Sequence, residues 1–293
     1  ASARTRAAAM RGLGQTSPAS DVLATLQRGL DDDDSWVRYY ACQSLGKLSA
    51  HTHAESIASL LADRAGQVRV AAVEALSRMK NGVALDALRA AATSDDPDVQ
   101  RAALIGLGMM KNAESLPVIV AACSAPDAAT RLVALSALSA FRTPETLALV
   151  GRAVQDRDEG VRAAALGLLA KWPGSEATRF LVEALRDDSL RKPVSAALGM
   201  PAPGRIAGLL GALQTTDDEL APVLVSALGR VDVHDAEHAL LHALRSPNVP
   251  SRKAAAAMLA ARGTRDALDA LGRARTEDPS DEVRRVCALF LAQ

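Results

Sequence analysis

A leucine returns about every thirty-one residues along the whole chain: Leu13, Leu45, Leu76, Leu107, Leu138, Leu169, Leu198, Leu228, Leu259 and Leu291. The intervals run from 29 to 32 residues. No other feature constrains the fold as tightly. A unit this short cannot enclose a core of its own, so it must bury its apolar face against its neighbours, as the units of a solenoid do.

The residues around each leucine say what the unit is. Eleven positions earlier stand Ser2, Asp34, Asp96, Asp127, Asp158, Asp187, Asp217, Asn248 and Ser280, with Ala65 the one break in the column. Such side chains cap a helix N-terminus, and the aspartates also complement its dipole. Val37, Val68, Val99 and Val161 stand eight before the leucine, and Ala41, Ala72, Ala103 and Ala134 four before it. Spacings of eight, four and zero lie on one helical face, so each unit ends in an amphipathic helix, called B. The residue before the leucine is usually small, as at Gly12, Ser44, Ala75 and Gly106, which lets the next unit approach closely. Seven before it runs a basic column that includes Arg6, Arg38, Arg69, Arg131, Arg162, Arg191, Arg252 and Arg284. With an aspartate four residues upstream in most units, this column predicts an exposed Asp–Arg ladder between repeats that sets stacking geometry.

Between the B helices lie nine apolar segments with leucines three and four apart, such as 20–30, 55–64, 144–154, 204–214 and 236–245. These read as A helices, each joined to a B helix by a short turn. The count is ten B and nine A helices. The pattern Asp, Val-Arg, Ala, Leu-Gly, seen at 33–46, 95–108 and 158–169, resembles the HEAT-like repeat family in the short form known from phycobilisome lyases. The match is imperfect: Gln100 replaces the arginine in the second segment, and Ala170 the glycine in the third. The resemblance implies a right-handed all-α solenoid of about ten helical hairpins over 1–293, with the B helices on its concave surface.

Composition agrees with helices packed closely. Hydrophobic residues make up 49% and aromatic residues 2%, so the core is Ala, Leu and Val. Charge is balanced, 34 basic against 34 acidic, with 15 of each in 1–146 and 19 of each in 147–293. That balance lacks the basic excess of a nucleic-acid binder, although one face of a superhelix could still be basic. Cys42, Cys123 and Cys287 form no pair motif and read as buried thiols in a reducing compartment, and no apolar run reaches membrane-span length. The expected location is cytoplasmic, with no membrane partner and no cofactor. The first B helix has no A helix before it, so the chain is expected to begin inside a longer protein, whose other domains are further candidate partners. Phe290, where most units place a small residue, suits a final unit. Pro193, Pro201, Pro203 and Pro222 fall where the leucine interval shortens, and they predict a local change of superhelical curvature near 188–224.

On the B helices, positions −9, −6, −2 and +2 from the leucine face away from the core. Arg101, Ile105 and Met109, then Leu132, Ser136 and Ala140, then Ala163, Gly167 and Lys171 occupy them in the middle of the chain. This strip is apolar and small for a solvent face and predicts a groove for a partner helix or an extended peptide. Trp36, Tyr39 and Gln43 share the face nearer the N-terminus, behind the acidic run Asp31–Asp34, and read as a contact hot spot with aspartates able to attract a basic partner. His234, His238 and His242 are four residues apart, but lie on an A helix without a cysteine in range, and read as a surface stripe rather than a metal site.

No phosphate loop, nucleophile elbow or Cys-x-x-Cys is present, and Asp217 and Asp218 read as helix caps. HEAT-like deoxyhypusine hydroxylases hold iron with repeated His-Glu pairs, and this chain has no His-Glu dipeptide. The expected function is a non-enzymatic scaffold or adaptor with a protein partner and no nucleic-acid partner. The resemblance also implies two alternatives, a bilin lyase or chaperone, and a HEAT-like DNA binder or glycosylase. The second needs a cationic groove with aromatic residues beside a catalytic aspartate, which Trp36, Arg38 and the acidic run supply poorly.

Overall fold

The computed structural model describes residues 1–217, 219–231 and 235–292. Among them are nineteen α-helices and no strand. The chain divides into two compact units, Ala1–Thr146 and Leu147–Gln293. The B helices of the first unit are α1 (Ala3–Leu13), α3 (Ser35–Lys47), α5 (Gly66–Met79), α7 (Pro97–Met110) and α9 (Ala128–Leu138). Its A helices are α2 (Ser20–Gly29), α4 (Ala54–Ser59), α6 (Gly82–Ala91) and α8 (Leu116–Ala122). From α10 (Pro144–Arg152) onward the A helices are α12 (Ser175–Ala184), α14 (Arg205–Ala212), α16 (Asp235–Ala243) and α18 (Arg265–Glu277). The B helices of the second unit are α11 (Glu159–Lys171), α13 (Arg191–Leu198), α15 (Ala221–Val231), α17 (Val249–Arg262) and α19 (Asp281–Leu291). Ten B and nine A helices stand where the leucine period puts them. Within each unit every B helix packs on the next, and α2, α4, α6, α8, α12, α14, α16 and α18 each pack on the B helix that follows.

The eight leucines from Leu45 to Leu259 have no exposed surface, while the two at the ends are half-buried. Each buried leucine contributes roughly 1.5–3 kcal/mol of apolar transfer energy. Small residues set the distance between repeats. A Cβ added at Gly46 would lie 2.7 Å from Ala75 Cα, and one at Gly108 would lie 3.0 Å from Ala137 Cα. The glycine after one leucine therefore receives the small residue before the next, which explains the Leu-Gly pattern. Side chains of Ser2, Asp34, Asp96, Asp127, Asp158 and Asn248 accept backbone N–H groups at the starts of their B helices, as the column predicts. Ser280 makes no such bond.

The arginine ladder differs from its expected form. Arg38 Nη1 donates to the carbonyls of Asp32 and Asp33 (2.7 and 3.0 Å), pinning the turn before its own helix. Its Nε and Nη2 donate to Asp63 of the following repeat at 2.7 and 2.9 Å. Arg6 grips Asp32 and Arg252 grips Asp278 in the same way, and Arg69 donates to one oxygen of Asp96, whose other oxygen caps α7. The upstream aspartate is thus not the partner: Asp34 is occupied capping α3, and the acceptor comes from the next repeat. Nor is the ladder exposed throughout. The Arg38 and Asp63 side chains keep only 8% and 6% of their surface. The Arg38 hydrogen bonds hold the Asp63 carboxyl below the usual carboxylate range, against the opposing pull of burial.

The second unit is less regular. Pro193 and Pro222 sit in the first turns of α13 and α15, where a missing N–H costs no helical hydrogen bond. What changes is length: α13 has eight residues and follows a 3-10 turn, Asp188–Leu190. Arg191 turns to the exposed Glu219 at 2.7 Å. Two loops meet through glycines that must be glycines. Gly174 (φ +95°) donates to the Pro203 carbonyl at 2.7 Å, and a Cβ on Gly204 (φ +79°) would lie 3.0 Å from Gly174 Cα. Arg205, next in line, is 1% exposed and donates through Nη2 to the Leu169 and Ala170 carbonyls at the end of α11 (3.1 and 2.9 Å). Its Nε and Nη1 have no hydrogen-bond partner among the described residues, and burial pushes its pKa down.

Candidate partner-binding site

The outward rows of the B helices carry the chain's most conspicuous exposed apolar side chains. Trp36 is 51% exposed, Ile105 53% and Met109 60%, and Leu132 is also exposed. Helical phase explains this. Arg101, Ile105 and Met109 form one stripe of α7 at four-residue steps, while Ala103, Leu104 and Leu107 of the same helix are buried. Leu132 and Ser136 form the corresponding stripe of α9, which packs against α7. Arg101 lies at the edge, held by Asp98 at 2.6 Å and near Asp127 at 3.8 Å. Lys171, exposed at the end of α11, belongs to the second unit and is described there alone.

Trp36 starts an aromatic cluster on α3. Its ring meets Tyr39 edge-on at 5.5 Å and lies 6.2 Å from Tyr40, and the two tyrosines stand edge to face at 5.1 Å. Gln43 reaches the Tyr39 hydroxyl at 3.4 Å. Arg11 of α1 lies 6.0 Å from the Tyr40 ring centre, on its face. Between α1 and α3 opens a hollow of about 880 Å³, floored by Ala7, Ala8 and Gly12 and walled by Arg4, Arg11, Trp36 and Tyr40. Tyr40 is the one wall residue that the outward-row reading leaves out. Its spacing of four from Trp36 is the signal that finds it.

The acidic run behind this cluster is not the free patch its sequence suggests. Arg6 binds Asp32 through both carboxylate oxygens, and Asp34 accepts from the Trp36 and Val37 amides. Only Asp31 and Asp33 remain exposed with uncommitted carboxylates among the described residues. The run therefore locks α1 and α3 together rather than standing ready for a basic partner.

The other candidates organise less. His238 and His242 are exposed on α16 and line an open hollow with Ile206, Ala207 and Leu210, while His234 lies outside the described residues. Among the described residues no three metal-binding side chains gather. Asp217 caps α15 by accepting from the Leu220 amide (2.9 Å), and Asp218 lies outside the described residues. Burial pushes the Cys42 and Cys123 thiols up, Cys123 to about 11, away from the thiolate form that reacts. No helix is long and apolar enough to cross a membrane.

Comparison with known proteins gives one family. A family model described as HEAT repeats matches residues 1–77, 54–139, 116–199 and 206–292. No curated protein matches in sequence. Among solved structures, the Schizosaccharomyces pombe condensin Cnd3–Cnd2 subcomplex is similar at 19% identity and TM-score 0.50, over 98% of this chain and 46% of that one. The complex of CpcE and CpcF of phycocyanin lyase from Nostoc is similar at 18% identity and TM-score 0.44, over 95% and 96%. Human deoxyhypusine hydroxylase is similar at 23% identity and TM-score 0.38, over 85% and 98%. At these identities the likeness concerns the fold alone.

Proposed function

Because the chain belongs to the HEAT-repeat family, we propose that it is a non-enzymatic scaffold or adaptor that binds a protein helix or extended peptide on the B-helix face of its first unit. One observation carries the reading: Ile105 and Met109 on α7 and Leu132 on α9 are exposed on the outward rows of two B helices that pack on one another, and Trp36 is exposed on the same row of α3, with α5 between. Scattered single apolar residues need no explanation, but a shared face rimmed by polar groups is the usual form of a docking surface. Trp and Tyr supply anchors at little entropic cost, and the buried leucines behind them keep the helices that carry them fixed. The lyase alternative has no observation of its own in this chain.

The test is substitution of Ile105 and Leu132 together by Asp. Partner capture from the native host should be lost, while far-UV circular dichroism stays at the wild-type level, because both side chains point away from the core. Capture that survives the double substitution discards the face.

A further inference from the structure

Whole-chain charge neutrality conceals a segregation by face. In the first unit the outward rows of the B helices hold Arg4, Arg11, Lys47, Arg78 and Arg101 against Glu74 and Asp98. Since residues 1–146 carry 15 charges of each sign, the remainder of the unit is correspondingly acidic. Arg101 is neutralised by Asp98. Arg4, Arg11, Lys47 and Arg78 make no ion pair among the described residues and are exposed. Their charges stand on the same face as the Trp36 and Tyr40 rings and as Ile105 and Met109.

We propose that the occupant of this face is an acidic peptide segment with a bulky apolar anchor, the anchor seated in the hollow between α1 and α3. This deepens the scaffold reading and rests on it. The hollow supplies both requirements, a floor of Ala7, Ala8 and Gly12 for apolar contact and Arg4 and Arg11 at its rim for carboxylates. Excess positive charge steers an acidic partner and selects against a basic one. A nucleic acid fits the face less well. The Trp36 and Tyr40 rings are confined to the hollow, and along α7 and α9 the side chains of Ile105, Met109 and Leu132 offer no further ring on which successive bases could stack.

A library of random displayed peptides, selected on the whole chain, tests the proposal directly. Enriched peptides are resynthesised with a fluorophore and titrated against four proteins: wild type, Trp36→Ala, the pair Arg11→Glu and Arg78→Glu, and the pair Ile105→Asp and Leu132→Asp. The enriched pool should be rich in Asp and Glu around an aromatic or leucine. The charge-reversed pair should weaken binding at least roughly tenfold, as expected for rim charges acting together. On wild type alone, affinity should fall as salt shortens the screening length from about 10 Å at 0.1 M to about 3 Å at 1 M. This measurement holds even where a variant fails to fold. A pool without acidic bias, salt-independent binding, or no enriched peptide overturns the proposal. So does a random single-stranded oligonucleotide that binds wild type and is lost with Arg11→Glu and Arg78→Glu. Peptides that ignore charge reversal but are lost with Ile105→Asp and Leu132→Asp sink the acidic occupant and leave the scaffold standing. Peptides indifferent to Trp36→Ala overturn the seat between α1 and α3, and peptides indifferent to both Trp36→Ala and the Asp pair sink the face itself.

Discussion

Arg38 and Arg205 are both buried arginines, and they are satisfied in opposite ways. Arg38 sits in the first unit between two turn carbonyls and the Asp63 carboxylate, with its charge neutralised and all three nitrogens used. Arg205, in the second, has only two helix-end carbonyls, and Nε and Nη1 are left without partners among the described residues. The contrast extends to the surroundings. The first unit has the joint at Arg6–Asp32, Arg38–Asp63 and Arg69–Asp96; the second has it at Arg252–Asp278, while Arg191 reaches the exposed Glu219. A repeat protein therefore need not use one joint throughout. Where the period shortens, Arg191 reaches the following repeat through an exposed glutamate, and the buried Arg205 binds helix-end carbonyls instead of a carboxylate.

The largest test removes the two guanidinium groups in turn. Arg38→Met leaves Asp63 buried without its counter-charge and should cost about 3–5 kcal/mol. Arg205→Met removes an unpaired buried charge and should raise stability by about 1 kcal/mol, the sign seen when buried ions give way to apolar groups of similar size. Denaturant melts of both proteins check this, and equal losses would erase the distinction between the two sites.

A second pair of substitutions compares glycines. Gly46→Ala pushes a methyl into the Ala75 backbone and should cost about 1–3 kcal/mol by overpacking. Gly167→Ala in α11 meets nothing within 4 Å and should gain about 0.5–1 kcal/mol from helix propensity. Thermal melts with opposite shifts are the expected outcome.

Acid gives the smallest and most selective effect. Asp32, Asp63 and Asp96 have folded pKa values below their ordinary ones, chiefly through hydrogen bonds from Arg6, Arg38 and Arg69. Groups shifted down stabilise the fold above the unfolded pKa of about 3.9, and that contribution is lost as pH falls through the folded values. Stability should therefore drop below about pH 4, and Asp63→Asn, already weaker at neutral pH, should drop less steeply over that range. Parallel curves from the two proteins would remove the ladder from the account.

The architecture was legible because one leucine column and one capping column recur in phase, which fixes the helix count and most B-helix starts in the sequence itself. The exposure of Ile105, Met109 and Leu132 followed from the same phase. The partners of the arginines were not legible. Arg38 and Asp63 are 25 residues apart, and Asp34, four residues away, offers a nearer acceptor that the backbone claims first. Arg205 was hidden for a related reason: an arginine opening an amphipathic A helix looks like an ordinary solvated first-turn residue. The charge segregation was masked because the sum over each half of the chain is zero.

The two repeats that end in Leu45 and Leu76 each carry a guanidinium plug, Arg38 or Arg69, at one position and a carboxylate socket, Asp32 or Asp63, at another. Asp32 and Asp63 occupy the same place relative to Leu45 and Leu76. Excising residues 33–63 would deliver the Arg6 plug to Asp32 as before and join that socket to a repeat whose own plug, Arg69, still finds Asp96. Duplication or loss of one such module strands no charge, so the number of modules can drift in evolution while every seam between them stays sealed.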